Sequence, residues 1–167
     1  MAAMMGRTHL ALGAVAGVQL AAQTPGLGLP IMAAALFGAI LPDVDTPYSK
    51  LGRRLWPLSR LVLQVFGHRG GTHSAAFVLL ATALMWLVSP PVALALGAGI
   101  LTHLAADAIS YGHGTRFTAR GAGVPLLWPL SDRKTGLRLV KVNGALENLV
   151  ILPWMALYAA QIGWALI

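Results

Sequence analysis

The sequence predicts an all-α polytopic membrane protein of about five transmembrane helices, with an interfacial amphipathic helix and a small β-hairpin-like flap, forming a single membrane-embedded domain over residues 1–167. Three observations predict it. Hydrophobic residues make up 57% of the chain and charged residues only 10%, whereas about a quarter of a soluble domain is charged. Apolar runs recur between turn-rich or charged stretches. The charged stretches fall on alternate connections, so threading the chain back and forth collects them on one face.

The apolar runs are Leu10–Ala22, Leu27–Leu41, Ala75–Val88, Val92–Ala106 and Leu149–Ile167. With flanking residues each reaches about 16 to 21 residues, or about 24 to 31 Å, enough to cross a locally thinned bilayer. The competing reading, a soluble bundle, fails on supply. Its helices would need polar outer faces, and these runs hold almost no charged residues to make them. At the start, Arg7 and the apolar stretch ending at Ala21 and Ala22 have the outline of a signal peptide. His9, Gly13 and Gly17 share one helical face and argue for retention. The glycines form a GxxxG pattern that admits a second helix, from the same chain or from a homo-oligomeric partner.

Helix one leaves the face carrying Arg7 and His9, and helix two returns with Asp43 and Asp45. Helix three leaves from His73, helix four returns with His103 and Asp107, and the last departs after Glu147. All 12 Lys and Arg, all 5 acids and all 5 His then lie on one side, while Gln23–Pro25 and Ser89–Pro91 carry no charge. Basic residues accumulate in cytoplasmic loops, so that side should be the cytoplasmic one. The net charge of +7 also makes anionic membrane lipids the expected partners. The basic residues are spread over several loops without a binding motif, so no specific nucleic acid is expected.

Two stretches on that face have their own pattern. Lys50–Phe66 mixes Arg53, Arg54 and Arg60 with Leu51, Leu55, Trp56, Leu58, Val62 and Val65, which predicts an interfacial helix interrupted at Pro57. Val124–Leu130 and Leu137–Val142 flank the turn-prone Ser131–Gly136 and predict the hairpin or flap.

His103 and Asp107 stand one turn apart on a helical face, a workable metal-ligand spacing. Ionisable residues inside hydrocarbon are costly and usually serve a site. Asp43 and Asp45 end helix two beside Pro42, where Asp45 is also a candidate cap for the next segment. His68 and His73 flank a glycine pair where helix three begins, with Thr72 or Ser74 as its cap and Arg69 suited to an anionic group.

The candidate ligands are therefore His9, Asp43, Asp45, His68, His73, His103 and Asp107, and the candidate catalytic residues are Asp43, Asp45, Arg69 and Glu147. A catalytic zinc needs three protein ligands, so this supply points to two or more ions, or to ligands backed by outer carboxylates. Imidazole and carboxylate donors without any cysteine favour zinc, with manganese or iron as alternatives. His113 and Asp132 read as loop and turn residues.

The ordered set Thr8-His9 with Gly13, Leu41-Pro42-Asp43-x-Asp45, His68-Arg69-x-x-Thr72-His73-Ser74, His103-x-x-x-Asp107 and Leu127-Trp128-Pro129 resembles the LexA-regulated membrane-bound metal-dependent hydrolases, the YdjM-type family. The resemblance implies an inner-membrane, zinc-dependent hydrolase with these His and Asp residues at its metal site. A remoter similarity, carried by His103 and Asp107 alone, is to the zinc-dependent phospholipase C and P1 nuclease group, and it implies that Asp107 bridges two zinc ions. A site at headgroup level makes a phospholipid or another phosphoester the expected substrate. The alternative is a noncatalytic membrane protein that binds or moves metal ions or protons.

Overall fold

The computed structural model describes residues 6–66, 70–112 and 123–165. Helices α1 (Gly6–Ala22) and α2 (Gly28–Gly38) form a hairpin, followed by a 3-10 turn, Leu41–Asp45. Two short helices, α3 (Lys50–Arg54) and α4 (Trp56–Phe66), precede a second 3-10 turn, Gly71–His73. Helices α5 (Ala75–Trp86) and α6 (Pro90–Ile109) make a second hairpin. A π-helical turn, Leu146–Ile151, leads into α7 (Leu152–Ala165).

Close packing of α2 between its neighbours explains the glycines. A Cβ on Gly13 would lie 2.6 Å from Cβ of Ala39, and one on Gly17 would lie 2.7 Å from Sδ of Met32. The GxxxG stripe therefore packs α1 on α2 within one chain. On the other side, a Cβ on Gly38 would meet the Leu96 carbonyl at 2.3 Å, and one on Gly99 the Ala35 carbonyl at 2.2 Å. Ile31, Ala34, Ala35, Val78, Ala95, Leu96, Ile100 and Leu104 fill the core between α2, α5 and α6.

The expected back-and-forth course holds at the helix ends. Thr8 bonds Glu147 and Gln19 bonds Tyr158, so α1 and α7 run parallel, starting from the same end. Gln23 and Thr24 line a common cavity with Pro90 and Pro91, which puts the two uncharged connections together at the opposite end.

Five spanning helices are not supported. Among the described helices only α6, with 20 residues, is long and apolar enough to cross a membrane. Helices α2 and α5 have 11 and 12 residues, or about 16 to 18 Å at 1.5 Å per residue. The apolar runs outlast the helices because other geometry takes over. The stretch after Gly38 tightens into the 3-10 turn around Pro42, and α5 closes where the amides of Val88 and Ser89 both donate to the Met85 carbonyl. The outside of α5 is nonetheless apolar: it buries only Val78 and exposes Leu79, Leu80 and Leu84, followed by Leu87 and Val88. Contiguous apolar surface of this kind suits lipid better than water.

The basic amphipathic segment breaks at Leu55, one residue before α4, and not at Pro57. Proline lacks an N–H that the first helical turn does not use, so Pro57 starts α4 instead of interrupting it. Arg60 stacks over the Trp56 ring, 4.4 Å from its centroid.

The flap differs from a hairpin. Leu137–Val142 contributes strand β2 (Val140–Lys141), which pairs in parallel with β1 (Ser110–Tyr111) at the end of α6, in the register Ser110 to Val140 and Tyr111 to Lys141. Val124 makes one antiparallel bridge to Thr135. Beyond it, Pro125 and Pro129 cannot donate to a ladder, and residues 125–131 coil into turns.

Candidate metal centre

The site sits where four separate elements meet. His9 lies in the first turn of α1 and His103 and Asp107 in the last two turns of α6. Asp43 and Asp45 come from one 3-10 turn, and His73 from the other. Pro42 lies early in its turn, and the tight winding separates the two aspartates. Asp43 is directed at His103, with Oδ1 3.8 Å from Nε2, and Asp45 at His73, with Oδ2 3.3 Å from Nδ1.

Asp107 is the hub. Its Oδ1 lies 3.6 Å from Nε2 of His9, and its Oδ2 lies 3.5 Å from Nε2 of His73 and 3.7 Å from Nε2 of His103. The rings of His9 and His103 stack with centroids 3.8 Å apart, and His73 meets His103 edge-on.

Two imidazoles are fixed from behind. Nδ1 of His103 is 2.7 Å from the Ala39 carbonyl, an acceptor only, so Nδ1 carries the proton and Nε2 offers its lone pair to the centre. Nδ1 of His73 faces Asp45, which also accepts hydrogen bonds from Thr72, at 2.8 Å, and Thr46, at 3.0 Å. Nε2 of His73 and Nε2 of His103 are buried without a hydrogen-bond partner.

These atoms fit a cation. Ligands about 2.0 to 2.1 Å from a tetrahedral zinc stand about 3.3 to 3.4 Å from one another, close to the 3.5–3.8 Å separations around Asp107 and His103 and beyond ordinary hydrogen-bond length. His9, His103 and Asp107 form one set of mutually close donors, and Asp43, His73 and His103 another. The two sets share Nε2 of His103, which has a single lone pair. Among the described residues they could therefore serve one ion as alternative or combined donors, and do not make two independent three-ligand sites.

Electrostatics agree with a cation-ready pocket. Burial pushes the Asp43 carboxyl above its ordinary value, and repulsion from Asp107 adds to this while His103 opposes it. Burial also acts to raise Asp45, but its bonds to His73, Thr72 and Thr46 outweigh that and hold it below the usual carboxylate range. Burial would lower His73, yet Asp107 and Asp45 together raise it.

Of the residues read from the sequence, the structure brings together His9, Asp43, Asp45, His73, His103 and Asp107. His68, Arg69 and His113 lie outside the described residues. Glu147 is buried one step away, accepting hydrogen bonds from Thr8 at 2.5 Å and from the Asn143 amide at 2.6 Å. Ser74 alone caps α5, accepting from the Phe77 amide, while Thr72 serves the site through Asp45. Ser49, not Asp45, caps α3. The support from Thr8, Thr46 and the Ala39 carbonyl was missed. Thr8 and Thr72 stand beside His9 and His73, which was the available signal; a backbone carbonyl leaves none.

A family model described as YdjM inner membrane protein matches residues 4–167. The inner membrane protein YdjM of Escherichia coli strain K12 is 39% identical over 106 residues, covering 59% of this chain and 49% of that protein, and the Shigella flexneri protein of the same name matches equally. The chain thus spans about half the length of these two relatives. The uncharacterized protein YvsG of Bacillus subtilis strain 168 is 32% identical over 151 residues, covering 89% of this chain and 88% of its own. No solved structure matches.

Proposed function

Because the chain belongs to the YdjM inner membrane protein family, we propose that it is a metal-dependent hydrolase of the bacterial inner membrane, with zinc as its cofactor and its site on the cytoplasmic side. One observation carries this reading: the buried Nε2 atoms of His73 and His103 converge beside Asp107 with no hydrogen-bond partner, while both Nδ1 atoms are secured from behind. Imidazoles oriented this way, with Nδ1 bonded from behind and Nε2 facing a shared carboxylate, are arranged as metal ligands typically are.

His9, His73, His103 and Asp107 would hold the ion, with Asp43 completing the set. A bound divalent cation supplies Lewis acidity, bringing the pKa of water toward neutrality and offsetting charge on an ester oxygen. Asp43, whose side chain is 25% exposed, is the ligand-side carboxylate that reaches solvent, and it is placed to orient a water and accept its proton. Asp45 keeps His73 in the tautomer whose Nε2 faces the centre. Thr8 and Glu147 anchor the first turn of α1, and so the position of His9. The polar face supports a phospholipid or another phosphoester as substrate, because the site lies beside the basic segment that starts at Lys50.

Noncatalytic metal or proton movement is disfavoured by the residues behind the cluster. The buried residues of α6 preceding His103 are Ala93, Ala95, Leu96, Gly97, Gly99 and Ile100, and beside Gly97 stands the isolated hydroxyl of Thr82 on α5.

Metal analysis of the purified chain, with hydrolysis of p-nitrophenyl phosphate and of phospholipid measured with and without chelator, tests the proposal. Bound zinc and chelator-sensitive turnover, both lost in His103→Ala, are expected. Full metal content in that variant, or turnover indifferent to chelator, would reject it.

A further inference from the structure

Asp43 opens into a cavity of about 320 Å³ whose walls include Arg7, Leu10, Ile40 and Leu51. A second cavity, of about 600 Å³, shares Ile40 and Leu51 with the first and adds Arg53 and Arg54. The two are therefore neighbours along one apolar wall, with the candidate metal ligand at one end and two exposed guanidinium groups at the other.

Helix α3 is tied to the aspartate. The Ser49 hydroxyl donates to the Asp43 carbonyl at 2.9 Å and accepts from the Gly52 amide at 2.8 Å, capping the helix that carries both arginines. Gly52 presses on the same turn, since a Cβ there would lie 2.0 Å from the Thr46 carbonyl. Arg53 and Arg54 thus follow a glycine packed against the turn that supplies Asp43. Their distance from the site is set by this cap and contact and not by a loose loop.

We infer that Arg53 and Arg54 form an anion subsite that anchors a phosphate-bearing amphiphile, its phosphate on the guanidinium groups and its ester-bearing remainder along Leu51, Ile40 and Leu10 toward Asp43. The inference deepens the hydrolase reading, because it takes Asp43 as the reacting end of the cavity. Arginine matches phosphate geometry with paired N–H donors. A space of this size is much larger than a phosphate ion needs and suits a molecule of lipid-fragment dimensions. Apolar walls give no advantage to free phosphate, so a phosphate carried on a lipid is favoured over a soluble one.

The test is calorimetric titration of the full chain in zwitterionic detergent with dihexanoyl phosphatidic acid, inorganic phosphate and dihexanoylglycerol, beside zinc analysis of each sample. Phosphatidic acid should bind at least about tenfold more tightly than either other probe. The double variant R53Q/R54Q should lose about tenfold or more of that affinity with its zinc content unchanged. Both side chains are exposed, so the fold is not at stake, and circular dichroism checks it. Equal binding of phosphatidic acid by variant and wild type overturns the subsite. Inorganic phosphate or dihexanoylglycerol binding as tightly as phosphatidic acid overturns the amphiphile. Absence of zinc from the wild type would sink the hydrolase reading while leaving the arginine titration readable.

Discussion

Asp45 and Asp107 grip His73 from opposite edges of its ring, with Oδ2 of Asp45 3.3 Å from Nδ1 and Oδ2 of Asp107 3.5 Å from Nε2. The first contact is supported by two threonine hydroxyls, and the second opens onto the cluster. The two carboxylates are chemically alike and have different work to do.

Asp45→Asn should therefore weaken zinc binding without abolishing it. Loss of a carboxylate behind a ligating imidazole typically costs about 10- to 100-fold in metal affinity. Competition against a chromogenic chelator measures it, and an unchanged affinity would place Asp45 outside the metal's support.

Glu147→Gln replaces a carboxylate that accepts from Thr8 and from the Asn143 amide. Hydrogen bonds to a buried charge contribute about 1.5–3 kcal/mol, so the variant should melt at lower temperature by an amount of that order. Its zinc content should stay close to wild type, since the Thr8 bond links Glu147 to the site through α1. Metal loss exceeding the loss of folded protein would instead give Glu147 a direct role.

Gly38→Ala and Gly99→Ala each drive a methyl into backbone, at 2.3 and 2.2 Å from a carbonyl oxygen. Overpacking of this kind costs about 1–3 kcal/mol, more where backbone must move. Gly6→Ala is the control, because nothing lies within 4 Å of the added carbon. Thermal unfolding in detergent should separate the first two from the third, and equal melting of all three would contradict the α2–α6 contact.

The charge asymmetry gives a topology test. Without native cysteines, Thr24→Cys and Lys134→Cys each introduce a unique thiol, at the uncharged end and on the basic side respectively. An impermeant maleimide added to spheroplasts should label Cys at 24 and reach Cys at 134 only after permeabilisation. The reverse pattern would invert the orientation.

The one-sided clustering was legible because threading depends only on the order of apolar and polar stretches. The order of these stretches alone brings His9, Asp43, His73, His103 and Asp107 to one layer. Helix lengths were not legible in the same way: hydrophobicity runs on through Leu41 and Val88, whereas the α-helices stop at Gly38 and Trp86. The strand pair of two residues each has no periodicity to detect, and its partner at Ser110 lies 30 residues before Val140. The Thr8–Glu147 bond joins residues 139 apart, and the Gly38–Gly99 approach is a meeting of two residues without side chains. Neither leaves a local pattern.

The glycine contact between α2 and α6 reaches further than packing. Ala39 directly follows Gly38, and its carbonyl is the group that fixes the proton on His103. Sliding one helix past the other by a single residue, about 1.5 Å, would withdraw that oxygen and leave the imidazole free to tautomerise. Register between two helices and the basicity of one nitrogen are thus a single variable. A membrane that shears this pair would alter the geometry of the cluster without touching any of its carboxylates.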